Sequence, residues 1–371
     1  MLFRSVDGEV LAAASVPTRA PEHGRFAGDD QDGRRRVDGE RLLAGLDRTL
    51  RMRGFQPPGS TMKPLVALWA LERGWVDADG ERQPLHATMP VVACGHPSGW
   101  GKVACNIGAG HSMALHGQSY SDSTPDITLH DALPHSCNAY FAWLGHHLPA
   151  EDHRELAATF GLGESTGVRR RPGTAQEAAA RRGAALVEET RSHGFLGNLG
   201  EHGRQLAGNG LGVLQVTPMQ LARAYAGLAT GTLPEMRLVA SAGGRPVPAA
   251  GTALPFAPEH LATIRDLLGR VVTEGSASKG RLGVDRLGFR FACKTGSADI
   301  TSAENGRIPD GEGGTTAGVR KHTWIAGWFP AERPQYVAVL LVHNTAATSS
   351  HGAVYVMSQF LQREEVRALV R

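Results

Sequence analysis

The chain lacks the features that would mark a disulfide scaffold, a membrane span or a nucleic-acid binder. Four cysteines in 371 residues, Cys94, Cys105, Cys137 and Cys293, are too few to staple a fold. Cys94 and Cys105 flank a Gly/His/Trp-containing loop. There a single disulfide ranks first, free thiols second and a zinc site third, because His96 and His111 match no common ligand spacing. No run approaches the roughly 18 apolar residues of a membrane helix, and Met1–Glu9 has no signal-peptide apolar region. A net charge of +3, with no Lys/Arg stripe interleaved with aromatics, argues against nucleic acid as a partner. The short Arg34-Arg-Arg36 run sits among Asp and Gly and reads as a solvated loop.

What remains is an ordinary soluble composition, 41% hydrophobic and 20% charged, which supports a real core. The length fits about two domain-sized units or one large bilobal domain. Leu2–Val6 and Glu9–Ser15 around Asp7-Gly8 read as a β-hairpin. Residues 16–41 read as an exposed excursion, and helical patterning resumes near Leu42 and after Ser60. Residues 75–127 read as long loops. Leu129–Leu148 reads as a helix broken near Pro134, Glu151–Phe160 as a helix stopped by Gly161, and 169–193 as a loop and a surface helix. Thr217 and Pro218 occupy favoured cap and first-turn positions of the next helix. Pro258–Thr273 is amphipathic. Phe289–Cys293, Thr323–Phe329 and Tyr336–His343 read as strands, Ala298–Lys321 as a flexible lid and Val354–Val370 as a closing helix. Strands near both ends around a helical middle predict one α/β domain. Its antiparallel sheet is built from both termini, with a sheet lobe of about 1–59 and 258–371 and a helical lobe of about 60–257.

Within this frame Pro57-Pro-Gly-Ser-Thr-Met-Lys-Pro64 runs a tight turn into an apolar helix. Ser60 and Lys63 are three apart and share a face of the first turn. A serine at a helix N-terminus has backbone donors around an oxygen that must become negative, and a lysine beside it can act as base. Alone the pair is weak, and Ser276-Ala-Ser-Lys279 duplicates it in a loop without an apolar helix. Singly, Ser60 also reads as a helix cap, Lys63 and Lys294 as solvated charges, and Ser136 and Asn138 as loop polars. Cys137 reads as a small buried residue, Cys293 as packing, and His146-His147 as surface.

The order Ser60-Thr-Met-Lys63, Ser136-Cys-Asn138, Lys294-Thr-Gly-Ser297 resembles the signature of penicillin-interacting serine enzymes. With Glu9–Pro17, Pro58–Pro64, Ser136–Phe141, Val216–Ala222, Gly275–Ala277 and Trp324–Pro330, the chain is similar over nearly its whole length to the transpeptidase domain of class B penicillin-binding proteins. The resemblance implies a β-lactamase/transpeptidase-like fold and a peptidoglycan D,D-transpeptidase with Ser60 as nucleophile and Lys63 as base. Ser136 would be the proton relay and Asn138 an amide serving substrate and lysine. Lys294, Thr295 and Ser297 would bind the substrate carboxylate, with Gly296 allowing close backbone approach. Backbone N–H groups of Ser60 and Ser297 would hold the oxyanion. It implies no metal or organic cofactor. Its partners would be peptidoglycan stem peptides, β-lactam antibiotics and membrane-bound cell-wall synthesis proteins, at an extracytoplasmic location.

Three departures from the family pattern stand out. Cys293 replaces the usual glycine before Lys294, residues 298–321 are longer than common, and the preceding anchor and pedestal region is absent from these residues. Other outcomes on the same scaffold are a serine β-lactamase or a β-lactam sensor. The class A solution, a Glu followed four residues later by Asn, does not occur between Ser136 and Lys294.

Overall fold

The computed structural model describes residues 2–5, 7–12, 57–89, 127–163, 199–212, 214–237, 241–242, 244–278, 282–299, 308–309, 315–316, 320–346 and 352–370. Cys94, Cys105, His96, His111, the 16–41 excursion, the 169–193 segment and most of the expected lid lie outside these residues.

The central sheet has five strands, β1 (Leu2–Arg4), β2 (Val10–Ala12), β3 (Ala292–Asp299), β4 (Arg320–Phe329) and β5 (Tyr336–Ala346), in the order β2-β1-β5-β4-β3. All neighbours pair antiparallel, and Leu2 stands opposite Ala338, so the sheet joins both ends of the chain as expected. The first hairpin is shorter than its sequence pattern, but turns at Asp7-Gly8 as predicted.

The helices are α1 (Lys63–Arg73), α2 (Leu129–His135), α3 (Asn138–His147), α4 (Ala150–Thr159), α5 (Glu201–Gly208), α6 (Pro218–Thr230), α7 (Pro258–Arg270), α8 (Val284–Leu287), α9 (Ala353–Leu361) and α10 (Glu364–Ala368). Helix α1 is apolar on every side, and Leu65, Val66, Ala67, Leu68 and Ala70 are fully buried. Such a helix belongs in a core, and α2, α3, α4 and α7 pack around it. Thr217 caps α6 by accepting from the Gln220 N–H, with Pro218 in the first turn.

Successive strand residues face opposite sides of a sheet. On one face of β4, Trp328 meets Tyr225 of α6. On the other, the Thr323 hydroxyl accepts from the Ala353 N–H at the start of α9. The sheet is thus sandwiched between helices.

The 129–148 helix breaks near Pro134 as expected, at Ser136-Cys137, where Ser136 adopts a left-handed backbone (φ 62°). Three expectations need correction. The strand expected at Phe289–Cys293 runs instead from Ala292 to Asp299, held by pairing with β4 despite its polar residues. Residues 75–83 form a small hairpin, Trp75–Val76 with Arg82–Gln83. The closing helix is two helices, α9 and α10, because the chain turns at Gln362 and Arg363.

Candidate active site

The turn before α1 is bent by Gly59, whose φ of 56° lies in the left-handed region. A Cβ there would collide with the Ser297 carbonyl oxygen, so only glycine fits. Residues Gly59–Met62 form a 3-10 turn that continues into α1, and the Lys63 N–H donates to the Ser60 carbonyl. In a 3-10 turn residues i and i+3 nearly eclipse, which sets the Ser60 and Lys63 side chains side by side. Three distant elements hold this turn. Trp324 Nε1 of β4 donates to Pro57 O (3.0 Å), Tyr225 Oη of α6 to Thr61 O (2.8 Å), and the Gly59 N–H to Gly210 O (2.9 Å).

Lys63 is fully buried. Its Nζ donates to Asn138 Oδ1 (2.7 Å), Ser136 O (2.8 Å) and Ser136 Oγ (3.3 Å), and lies 5.2 Å from the Phe141 ring centroid. The structure therefore gathers Lys63, Ser136 and Asn138, which are 73 and 75 positions apart in sequence. Ser136 reaches the lysine because it ends α2 in the left-handed conformation, a backbone that costs a non-glycine residue on the order of 1–3 kcal/mol. Among the described residues it is the only non-glycine with positive φ. Strain of this kind concentrates where side-chain placement matters more than stability.

Edge strand β3 closes the other side. Its Gly296 presses on the Ser60 turn, and a Cβ there would lie 2.7 Å from Pro58 O and 2.9 Å from Thr61 Cγ2. The expected role of Gly296 was close approach by substrate; its observed neighbour is the protein's own turn. Lys294 is fully buried, and its Nζ donates to Thr295 O at 3.2 Å. Burial first, and the Lys63 cation second, push the Lys294 ammonium well below the usual lysine range. Thr295 is partly exposed and Ser297 exposed, so their hydroxyls are open to a ligand while the lysine is not.

Cys293 does not face the cleft. It pairs with Gly327 of β4, and the missing Gly327 side chain leaves it room. Burial pushes its thiol up to about 12, so it packs as a small apolar group. His146 and His147 are not a plain surface pair. His147 stacks with Trp143 and Trp75 (ring centroids 4.7 and 5.3 Å apart), and burial lowers the pKa of both histidines.

Sequence reasoning passed over two residues that support the site. Asn209 is 2% exposed. Its Nδ2 donates to Asn138 O (3.1 Å) and Gln205 O (3.3 Å), in the same turn whose Gly210 carbonyl receives the Gly59 N–H. Tyr225 lies three residues past the Val216–Ala222 stretch, in the helix that Thr217 and Pro218 begin, and its Oη donates to Thr61 O. The Gly-Asn-Gly punctuation and a tyrosine in an otherwise apolar helix were the available signals.

The site thus gathers a buried lysine held between a serine and an amide, with a second buried lysine on the edge strand. The chain belongs to the penicillin-binding protein transpeptidase domain family, whose profile matches residues 105–362. That span contains Ser136, Asn138 and Lys294, and begins after Ser60 and Lys63. The wider likeness covers those two as well. The chain is 25% identical over 356 residues to the peptidoglycan D,D-transpeptidase MrdA of Acinetobacter baumannii, covering 91% of this chain and 46% of that protein. It is 26% identical over 349 residues to the peptidoglycan D,D-transpeptidase FtsI of Escherichia coli K12, covering 93% and 46%. The chain thus spans about half the length of these relatives. Among solved structures, penicillin-binding protein A of Mycobacterium tuberculosis superposes with a TM-score of 0.60 at 18% identity, covering 100% of this chain and 74% of that one. Its penicillin G acyl-enzyme complex gives 0.60 at 19%, covering 99% and 73%. Pseudomonas aeruginosa PBP2 in complex with WCK 5153 gives 0.56 at 22%, covering 89% and 63%. The fold is that of these transpeptidase domains.

Proposed function

We propose that the chain is the acyl-transfer domain of a peptidoglycan D,D-transpeptidase, acylated at Ser60 by D-Ala-D-Ala-type stem peptides and by β-lactams. The observation that carries this is the Lys63 ammonium, fully buried and hydrogen-bonded to both Ser136 and Asn138 beside the Ser60 turn.

In the acylation step Ser60 Oγ forms a bond to the scissile carbonyl carbon as its proton passes to a neutral Lys63 Nζ. An ordinary lysine, with a pKa of about 10.4, is mostly charged near neutral pH. Full burial of the amine favours the neutral form. The C–N bond then breaks, and the departing nitrogen takes a proton from Ser136, which is replenished from Lys63 along their hydrogen bond. Backbone N–H groups of Ser60 and Ser297 take the developing oxyanion, each such donor contributing about 3–4 kcal/mol in comparable sites. Thr295 and Ser297 receive the substrate carboxylate through their hydroxyls, beside the buried Lys294. An acceptor amine then attacks the acyl-enzyme, the ester bond to Ser60 breaks, and the proton returns to Ser60. The work would be done outside the cytoplasmic membrane, where stem peptides lie, alongside membrane-bound cell-wall synthesis proteins.

A fluorescent penicillin followed over time tests the reading. Stable label on the wild type and none on Ser60→Ala is the expected result. Label that survives Ser60→Ala overturns the nucleophile, and label lost from the wild type within seconds identifies a hydrolase instead.

A further inference from the structure

Ser276 belongs to the second Ser-x-x-Lys copy, which has no part in the acylation machinery described above. It lies in the turns that follow α7, where its N–H donates to Pro134 O at 3.0 Å. That carbonyl is two residues before Ser136, so the Ser276 turn is pinned to the same helix end that delivers Ser136. The next N–H, of Ala277, donates to Val271 O at 3.1 Å, which fixes the turn from its other side. The Ser276 side chain is exposed and meets the Lys-Thr-Gly strand, with Oγ 2.6 Å from Thr295 Oγ1.

We infer that Ser276 is a positioning residue for recognition of the substrate's terminal carboxylate, acting through Thr295. The inference rests on the acyl-transfer reading and deepens it. A threonine hydroxyl has one proton to give and two lone pairs to fill. When Thr295 donates to a carboxylate its own oxygen needs a donor, and Ser276 is placed to supply one. The direction of the Ser276–Thr295 bond is then set by the ligand: Ser276 O–H to Thr295 Oγ1, and Thr295 O–H to the anion. A donor that is itself hydrogen-bonded is polarised and gives a stronger bond onward, and bonds to charged partners gain most. Without Ser276 the Thr295 hydroxyl is free to rotate, and part of the binding is spent on orienting it. The ligand is the free α-carboxylate of a D-amino-acid terminus or the ring carboxylate of a penicillin. An esterified or amidated ligand lacks the anion that orders the chain.

The test compares acylation rate constants for a penicillin and for its methyl ester in wild type, Ser276→Ala and Ser276→Thr. The wild type should prefer the free acid. Ser276→Ala should lower the acid-to-ester ratio roughly tenfold, the scale of one hydrogen bond serving a charged group, and Ser276→Thr should restore it. Ser276 is exposed, so the alanine variant should melt within a degree or two of wild type. A loss that falls equally on acid and ester, leaving the ratio unchanged, overturns the inference and marks Ser276 as a purely structural anchor. Unchanged rates in Ser276→Ala overturn it too. In both cases wild-type labelling stands and the acyl-transfer reading survives. A wild type that no penicillin labels overturns both.

Discussion

Cys293 and Gly327 stand opposite each other across β3 and β4, and a Cβ built on Gly327 would lie 2.6 Å from the Cys293 Cβ. The cysteine occupies a position where glycine is usual, and the space it needs comes from the neighbouring strand. Packing here is two-sided, since Phe291 Cε2 would lie 2.8 Å from the same Cβ. Gly327→Ala should therefore destabilise by about 3 kcal/mol through overpacking, read as a lower urea midpoint. Adding Cys293→Gly should recover only part of the loss, because the Ala292 carbonyl also blocks that Cβ.

The buried thiols give a second test. Cys137 and Cys293 are both inaccessible, and burial holds the Cys293 thiol protonated at about 12. Iodoacetamide alkylation at these two positions, read by peptide mass spectrometry, should track global unfolding. Rapid modification of Cys293 in the native protein would contradict its placement. The same digest without reductant reports on Cys94 and Cys105, where a disulfide-linked peptide is expected if the domain is made in an oxidising compartment.

Lys294 predicts a pH dependence on the alkaline side. Its folded pKa is depressed by burial and by Lys63, below the ordinary 10.5. Between those two values the unfolded chain binds more protons than the folded one. Stability therefore rises with pH across that window and is lost as pH falls through the folded pKa. Lys294→Met should flatten this rise, measured as urea midpoints from neutral pH to about pH 10, and should abolish penicillin labelling at every pH.

Asn209 predicts a loss of activity out of proportion to stability. Its side-chain amide supports the Asn138 carbonyl from a turn that also receives the Gly59 N–H, so it braces two parts of the site together. Asn209→Ala should slow acylation by about tenfold, corresponding to roughly 1–2 kcal/mol for one buried hydrogen bond. Asn209→Leu, which fills the space without donating, should be as slow. An active Asn209→Leu would show that the residue acts by volume alone.

Comparison of sequence and structure shows where local pattern carries information. The hairpin at Asp7-Gly8, the α6 start at Thr217-Pro218 and the apolar strands β4 and β5 were legible because each is dictated by neighbours in sequence. The grouping of Ser60 and Lys63 with Ser136, Asn138 and Lys294 was legible only through ordered motifs. The α2–α3 break was legible from Pro134, but not the left-handed Ser136 that makes it, since that backbone is unusual for a non-glycine residue. The bounds of β3 were set too early, at Phe289–Cys293, because the residues that follow are polar and small; pairing with β4 decides their state. Asn209 and Tyr225 were invisible as site residues, since each acts on a backbone carbonyl more than 70 positions away.

The left end of the sheet joins its centre by contacts that cross nearly the whole of these residues, with Leu2 pairing with Ala338 and Phe3 with Val337. Such pairings give a high contact order, and loop closure over that span must be met before the contacts stabilise anything. During synthesis β1 and β2 can pair with each other but must wait for β5, and the Pro57 carbonyl must wait for Trp324. The turn that carries Ser60 is therefore held on its β4 side only once β4 has been made.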